Sequence, residues 1–390
     1  MKRIPSAFMI FSLLIFSLTG LFGIDCKVII SGDYSISDKF NKIPFEAIPV
    51  LATAGTVYKK EYFTVNLLIN GCKPDGSGMA DSVYDIKIIK PDGKIYIENS
   101  NINAINTKIS NPQIFLMAGT VLKVCFEPED QFGDYSIEIN LRDNISKDSK
   151  DFKSSLKLVK FEYKKFFDDD DSLNKWMNGY YFNPDPGKAI DAFLYFNASK
   201  ISDNKNSFWP CIAFFQEIFS NNTYLFPFLE ELFESRDNKT KMNIIFLYKI
   251  CGYDLKGLTG KMSKDEAGKI GKAVEAVNIP DIYGKITSPS QLDMLWGTFL
   301  ASGSYKPVLA IVNSLELCKY KGYIERYKTS DKTAEDYKNA MSDAIYQSAR
   351  WSLGSNCSQH RLVKDYCNYI YDNEKLSGDV KNELGEILGR

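Results

Sequence analysis

The hydrophobic pattern of this chain changes period once, between a stretch that ends near residue 163 and one that begins at Ser172. This change constrains the fold more than any other feature. Before it, apolar and polar residues alternate, as in strands that bury one face. After it, apolar residues recur three and four positions apart, as in amphipathic helices. The chain is therefore predicted to fold as a β region followed by an all-helical region.

The β region is predicted over residues 27–163. Pro91-Asp92-Gly93 lies between two alternating runs and predicts a hairpin turn. Short strands with Gly, Pro and Asn between them are typical of an antiparallel β-sandwich of the immunoglobulin type. The Cys…Trp…Cys pattern of true immunoglobulin domains is missing, since the first tryptophan is Trp176. The clearest alternating strand carries Tyr135, Ile137, Ile139 and Leu141.

The clearest helix in the sequence is predicted over residues 289–302. Ser288 is a suitable N-cap and Gln291 completes a capping box, because its side chain can reach back to the cap. Gly303 can adopt the left-handed conformation that ends a helix. One apolar face is formed by Leu292, Leu295, Trp296 and Phe299. Ser304 then caps a second predicted helix, so the two are expected to form an antiparallel hairpin.

Two residues of this helix are not explained by its own folding. Gly297 is expected to let a neighbouring helix approach closely, because it has no side chain. Asp293 interrupts the apolar face and is expected to bond to a neighbouring helix or to its cap. The alternative is that Asp293 acts as a catalytic acid or base.

Residues 172–390 are predicted to form an all-α domain of stacked antiparallel helix pairs, because most connections are short. No fixed repeat length holds, so a tetratricopeptide array is not expected. The predicted helices span 172–182, 187–198, 207–220, 222–235, 238–251, 264–278, 289–302, 305–317, 333–353, 357–373 and 379–388.

An acidic linker, residues 164–171, joins the two predicted domains. Its four consecutive aspartates, Asp168 to Asp171, suggest either a calcium loop or a solvated connection. Calcium loops need oxygen ligands at alternating positions and usually a glycine, which this run lacks. The linker interpretation, with the charge favouring the N-terminus of the next helix, is therefore preferred.

The N-terminus is predicted to be a cleaved secretory signal, residues 1–23. Lys2 and Arg3 precede an apolar run from Ala7 to Phe22, which is short for a membrane span. The protein is therefore expected to be secreted or periplasmic, and no later segment is apolar enough to cross a membrane. Cys26 raises the alternative of a lipid anchor, but Gly23-Ile24-Asp25 fits a lipidation signal poorly.

The chain contains eight cysteines, and an oxidising compartment would let them form disulfides. Cys72 and Cys125 fall in the same predicted β domain and are proposed as a pair. Cys357 and Cys367 are a second candidate pair. The remaining helical-region cysteines are expected to be small buried residues: Cys211, Cys251 and Cys318.

His360 is the sole histidine, so a site with several histidine ligands is excluded. Cys357 and His360 are the sharpest catalytic candidates, since a cysteine near a helix N-terminus has a lowered pKa. The preferred alternative is structural: Asn356 caps the helix and His360 bonds to the neighbouring hairpin. No catalytic residue, metal site or cofactor site is therefore assigned, and Asp293, Cys357 and His360 remain candidates for a polar site.

Other classes of function are disfavoured by charge and by motif. The net charge of −1 lacks the basic excess of nucleic-acid or membrane-surface proteins. The glycines between Gly252 and Gly260 are not in the order of a phosphate-binding loop.

Three stretches of the helical half, 176–186, 290–303 and 349–360, resemble exported bacterial proteins with an all-helical domain of unknown function. Residues 91–93 and 126–135 resemble a small immunoglobulin-like β-sandwich domain of secreted bacterial proteins. The resemblance implies export and this two-domain architecture, and it implies no reaction.

Two functions follow as hypotheses. The first is an exported, non-enzymatic protein that binds another envelope protein or a peptide, or acts as a scaffold. The alternative is a hydrolase or carbohydrate-active enzyme that uses carboxylates of the helical domain.

Overall fold

The computed structural model describes residues 23–277, 281–329 and 332–390, so the predicted signal peptide lies outside it except for Gly23. A β region is followed by a helical region, as the change of period predicts. The strands are β1 (Asp25–Ser31), β2 (Thr56–Tyr58), β3 (Tyr62–Asn70), β4 (Met79–Ile89), β5 (Ile95–Lys108), β6 (Leu116–Met117), β7 (Leu122–Cys125), β8 (Gly133–Asp143) and β9 (Ser149–Val159).

The strands form two sheets. One has the order β1-β3-β6, with β7 also paired to β3, and the other has the order β2-β9-β8-β4-β5. The β2–β9 pair is parallel, and the other pairs are antiparallel. Both sheets contribute side chains to one hydrophobic cluster. The alternating residues of β4 and β8 point into it, because successive side chains of a strand point to opposite faces.

Local turn chemistry places β4 beside β5 as predicted. Gly93 has φ 84° and its N–H donates to the Lys90 carbonyl, which closes the turn after Pro91. On the solvent face of this sheet, Lys87 pairs with Glu98, and Lys153 pairs with Glu138 on the neighbouring strands. Alternating charges across four strands suit a face that remains in water.

The helices are α1 (Ile36–Asn41), α2 (Asp170–Gly179), α3 (Ala189–Ala198), α4 (Lys205–Asn221), α5 (Phe226–Leu232), α6 (Asn238–Ile250), α7 (Lys256–Thr259), α8 (Lys264–Glu275), α9 (Pro289–Ser302), α10 (Tyr305–Asn313), α11 (Tyr323–Thr329), α12 (Ala334–Gln359), α13 (Arg361–Asn373) and α14 (Gly378–Leu388). Within the described residues, none of them combines the length and the apolar character needed to cross a membrane. Short 3-10 segments that overlap predicted α-helices lie at Pro186–Lys188, Thr223–Leu225, Phe233–Ser235 and Ser314–Tyr320.

The predicted bounds of α9 are confirmed. Ser288 and Gln291 form the capping box, and Gly303 ends the helix with φ 66°. The four predicted apolar residues are buried in one of two hydrophobic clusters of the helical region. Leu300 packs against both clusters, so α9 lies between them. This helix therefore organises the core of the helical region.

Three predictions about helices are wrong. Helix α1 lies inside the predicted sandwich and packs on the helical region, where Ile43 just after it joins a helical-region cluster. Short helices α7 and α11 occupy two stretches that were predicted as connections. Helix α12 continues to Gln359, so Asn356 is not an N-cap and Cys357 lies near a helix C-terminus. Gly354 does not end α12, since a single glycine costs only about 1 kcal/mol in a helix.

The acidic run lies at the N-terminus of α2, where its charge was predicted to be favourable. The Asp169 carboxylate accepts a hydrogen bond from the Ser172 N–H at 2.7 Å and is the N-cap of α2. The preceding chain is held by buried Asp191, which accepts hydrogen bonds from the Phe166 and Phe167 N–H groups at 2.6 and 3.0 Å. The connection between the two regions is therefore fixed by specific contacts.

Candidate functional site

The C-terminal end of α9 is one place where the β region and the helical region meet. The Ser35 hydroxyl, just before α1, donates to the Ser302 carbonyl at 2.5 Å. The Asp38 carboxylate accepts from the Tyr305 N–H, the first residue of α10, at 3.2 Å. These bonds satisfy backbone groups that helix ends leave without partners. Helix α1 therefore docks on the α9–α10 turn.

Lys39 is buried at the centre of this junction, with 1% of its surface exposed. Its Nζ lies 2.6 Å from Asp33 Oδ2 and donates to the Tyr181 carbonyl at 2.6 Å. Burial lowers the pKa of Lys39, and the Asp33 carboxylate opposes this change. A β-carbon at Gly303 would clash with the Lys39 side chain. Gly303 is thus required for its backbone conformation and for this close approach.

His360 is connected to the same junction through Tyr181. The Tyr181 hydroxyl lies 3.2 Å from His360 Nδ1, and the Phe299 ring packs edge-on against the imidazole. Burial lowers the pKa of His360, so the neutral imidazole is favoured. The predicted partner, the α9–α10 hairpin, is wrong, because the hydrogen bond goes to the segment after α2. These contacts fix the orientation of the His360 and Tyr181 rings.

The proposed Cys357–His360 pair does not form. His360 bonds to Tyr181, whereas the Cys357 thiol interacts with the Cys367 thiol of the next helix. Cys367 is buried and Cys357 is partly exposed. The second candidate cysteine pair is therefore brought together, with both thiols free.

The proposed Cys72–Cys125 disulfide is wrong. Cys125 lies opposite Tyr62 at the start of β3, whereas Cys72 follows Asn70 at the end of β3. The intervening strand separates the two residues by roughly 25 Å at its rise per residue. A disulfide needs Cα atoms within about 7 Å of each other. Both cysteines are free.

Asp293 lies on the exposed side of α9, away from the apolar cluster. Its carboxylate has no hydrogen-bond partner among the described residues, so the predicted bond to a neighbouring helix or to its cap is wrong. Partial burial raises the pKa of Asp293. The structure does not join it to His360 or Cys357.

The buried carboxyl of Glu61 was missed by sequence reasoning. Glu61 is 7% exposed and accepts a hydrogen bond from the Tyr58 N–H at 2.8 Å. Burial raises the pKa of Glu61 to about 8, and nearby Asp185 adds to this change. The surrounding tyrosines come from both regions, and the buried Tyr224 hydroxyl has no partner in the described chain. The protonated form of Glu61 is therefore favoured at neutral pH inside the contact between the regions.

The sequence carried one usable signal for this junction. Ser35 and Asp38 match the start pattern of a helix, which would have revealed α1. Nothing local signals that Lys39 and Glu61 are buried, because both belong to residue types that are usually exposed.

Two cavities lie elsewhere in the described chain. One, of about 380 Å³, lies between β5 and β6, and the other, of about 340 Å³, lies at the start of α14. Glu316 and Asp379 line the second cavity together with Lys319 and Lys375, so opposite charges are mixed there. The candidates Asp293, Cys357 and His360 line neither cavity. Among the described residues, no group of three or more His, Cys, Asp or Glu is placed to hold a metal ion.

No family model matches this chain, and no curated protein matches it. Among solved structures, it is similar to a family 123 glycoside hydrolase from Clostridium perfringens, described for glycolipid glycan hydrolysis, with 8% identity and a TM-score of 0.23. The match covers 47% of this chain and 37% of that chain. This similarity is too low to support an argument about fold or function. The structure itself defines a protein with a two-sheet β region followed by a helical region.

Proposed function

We propose that this protein is exported and binds another protein or a peptide in the cell envelope, as an interaction or scaffolding protein rather than an enzyme. The observation that carries the proposal is the segment of residues 43–50, which exposes three large apolar side chains. Phe45 is 81% exposed, Ile48 52% and Val50 45%. Exposed apolar residues scattered singly are ordinary, but a contiguous group marks an interaction site.

The 43–50 segment is held by contacts within it and just after it. Within it, Ile43 is buried in a helical-region cluster, and Ala47 packs against the same cluster. Just after it, the Ala52 carbonyl accepts a hydrogen bond from the Ser31 hydroxyl at 2.7 Å, and the Ala54 N–H donates to the Ile30 carbonyl at 2.8 Å. A segment positioned in this way loses less conformational entropy when a partner binds.

The architecture proposed with this function is an immunoglobulin-like sandwich followed by stacked helix pairs. The shared core of the two sheets supports the first part. The close turn between α9 and α10, at Gly303 and Ser304, supports the second. Loops and exposed segments of such modules are common sites of protein recognition.

Export is proposed with signal cleavage after Gly23 and without a lipid on Cys26. Ile24 is 2% exposed and belongs to the β core, so cleavage after Gly23 keeps this residue in place. Cys26 lies in β1 and its side chain is buried in the same core, where a lipid could not be attached without opening the sheet. Mass spectrometry of the protein isolated from its cells should find Ile24 as the first residue. A diacylated Cys26, or a retained Met1, contradicts this part of the proposal.

Site-specific photo-crosslinking tests the binding function. Benzoylphenylalanine is placed at Phe45 or Ile48, and, as a matched control, at Phe132, an exposed aromatic residue of the β region with 46% exposure. We expect Phe45 and Ile48 to give the same adduct in intact cells, and Phe132 to give none. Loss of the Phe45 adduct on Ile48→Ser would confirm a shared surface. Absence of an adduct at both positions, or an equal adduct at Phe132, would overturn the proposal.

A further inference from the structure

The turn between α12 and α13 brings two thiols together in the helical region. Cys357 lies in the last turn of α12 and Cys367 lies in the middle of α13, and the two helices pack against each other. The Cys357 and Cys367 thiols lie close enough to interact. Cys367 is completely buried, whereas Cys357 is partly exposed. One cysteine is thus partly exposed to solvent, and its partner lies in the core.

The environment of the pair makes the two sulfurs chemically different. The interaction with Cys367 lowers the pKa of Cys357 more than burial raises it, and the charge of Lys364 adds to the lowering. The same interaction and burial raise the pKa of Cys367 well above its ordinary value. Since the thiolate is the nucleophile in disulfide exchange, the more exposed cysteine is also the more reactive one.

We propose that Cys357 and Cys367 are a disulfide-forming pair, in which Cys357 reacts first with a small-molecule disulfide and Cys367 resolves the product. The Cys357 thiolate attacks one sulfur of the oxidant, forms a mixed disulfide and releases one thiolate. Cys367 then loses its proton, attacks the Cys357 sulfur and releases the second thiolate. The two cysteines lose two protons and two electrons, and the external disulfide is reduced to two thiols.

The disulfide would cross-link α12 to α13 around His360, which forms the turn between them. His360 contacts Tyr181, whose carbonyl holds the Lys39 ammonium group at the junction. The cross-link therefore stabilises the turn on which this junction packs.

Peptide mapping of the purified protein tests the proposal independently of its function. The protein is incubated with oxidised glutathione, free thiols are alkylated with iodoacetamide in denaturant, and trypsin is added without reductant. Trypsin separates residues 351–361 from residues 365–375, so each cysteine lies in its own peptide. We expect these two peptides to be recovered joined, with a mass about 2 Da below their sum, and to separate on reduction. Recovery of both peptides singly alkylated, or of either joined to another cysteine, overturns the proposal.

Variants assign the order of the two steps. In Cys367→Ser, Cys357 should accumulate the mixed disulfide with glutathione, because the resolving sulfur is missing. In the control Cys211→Ser, which removes a different buried thiol, the joined peptides should form as in the wild type. If Cys367→Ser does not fold, the wild-type time course gives the same information. There the glutathione adduct on residues 351–361 should precede the joined peptides, and an adduct that appears first on residues 365–375 contradicts the assigned order.

Discussion

Gly297 of α9 lies directly against the backbone carbonyl of Pro210 in α4. A β-carbon at Gly297 would clash with this oxygen and would lie 3.3 Å from the Phe214 nitrogen. Since the obstructing atoms are backbone atoms, they cannot rotate away as a side chain would. The prediction that Gly297 lets a neighbouring helix approach closely is confirmed.

Gly297→Ala should therefore lower the free energy of unfolding by about 1–3 kcal/mol, the usual cost of an overpacked core. Gly354→Ala is the matched control, because a β-carbon at Gly354 in α12 meets open space. That control should raise the free energy of unfolding by about 0.5–1 kcal/mol, as expected for alanine in a helix. Urea denaturation measures both changes in the free energy of unfolding. Equal changes would show that the close α4–α9 contact does not determine the effect of Gly297→Ala.

Trp296 and Trp351 provide a second matched pair. Trp296 is 7% exposed and its ring meets Phe299 edge-on, whereas Trp351 on α12 is 76% exposed. Trp296→Ala should cost about 3–5 kcal/mol of stability, as truncations of buried aromatic residues do. Trp351→Ala should change stability by less than about 0.5 kcal/mol. Similar losses for both variants would contradict the burial of Trp296.

The buried ion pair of Lys39 and Asp33 should respond asymmetrically to mutation. Asp33→Asn leaves the Lys39 charge buried without its counter-ion, which should cost about 3–5 kcal/mol. Adding Lys39→Met removes that charge and keeps most of the apolar stem, so the double variant should recover part of the loss. Chemical denaturation of the wild type, both single variants and the double variant gives the coupling energy. Additive losses would show that the two charges do not interact.

Glu61 should make stability depend on pH. Burial raises its pKa from the ordinary 4.5 to about 8, so the folded protein holds a proton that the unfolded chain releases. Stability from this group is therefore lost as the pH rises from about 4.5 to about 8, with a slope near 1.4 kcal/mol per pH unit. In Glu61→Gln this slope should disappear. Thermal unfolding across this pH range measures the slope, and Glu129→Gln in an exposed loop is the control. An unchanged slope in Glu61→Gln would contradict the raised pKa of Glu61.

Features that depend on near neighbours in the chain were predictable. The capping box of Ser288 and Gln291 and the ending at Gly303 fixed both bounds of α9, because these groups interact within four residues. The hairpin at Pro91-Asp92-Gly93 was predictable for the same reason.

The prediction of helix ends failed where helix-forming sequence continued past a glycine. Two helices, 333–353 and 357–373, were predicted with Asn356 as the cap of the second, but Gly354 and Asn356 both lie inside α12. Tertiary packing outweighs such weak local preferences, so Cys357 moved from a predicted helix N-terminus to a C-terminal turn.

By itself, the sequence determined the order of the two regions, the bounds of α9 and the need for a small residue at position 297, since periodicity, capping and turns act over short distances. The tertiary structure alone decided which polar groups are buried and which partners they have. Lys39 bonds to the Tyr181 carbonyl 142 residues away, and Cys72 and Cys125 are held apart by the strand between them. Such pairs depend on how distant segments pack, and no local sequence pattern determines which distant residues come together.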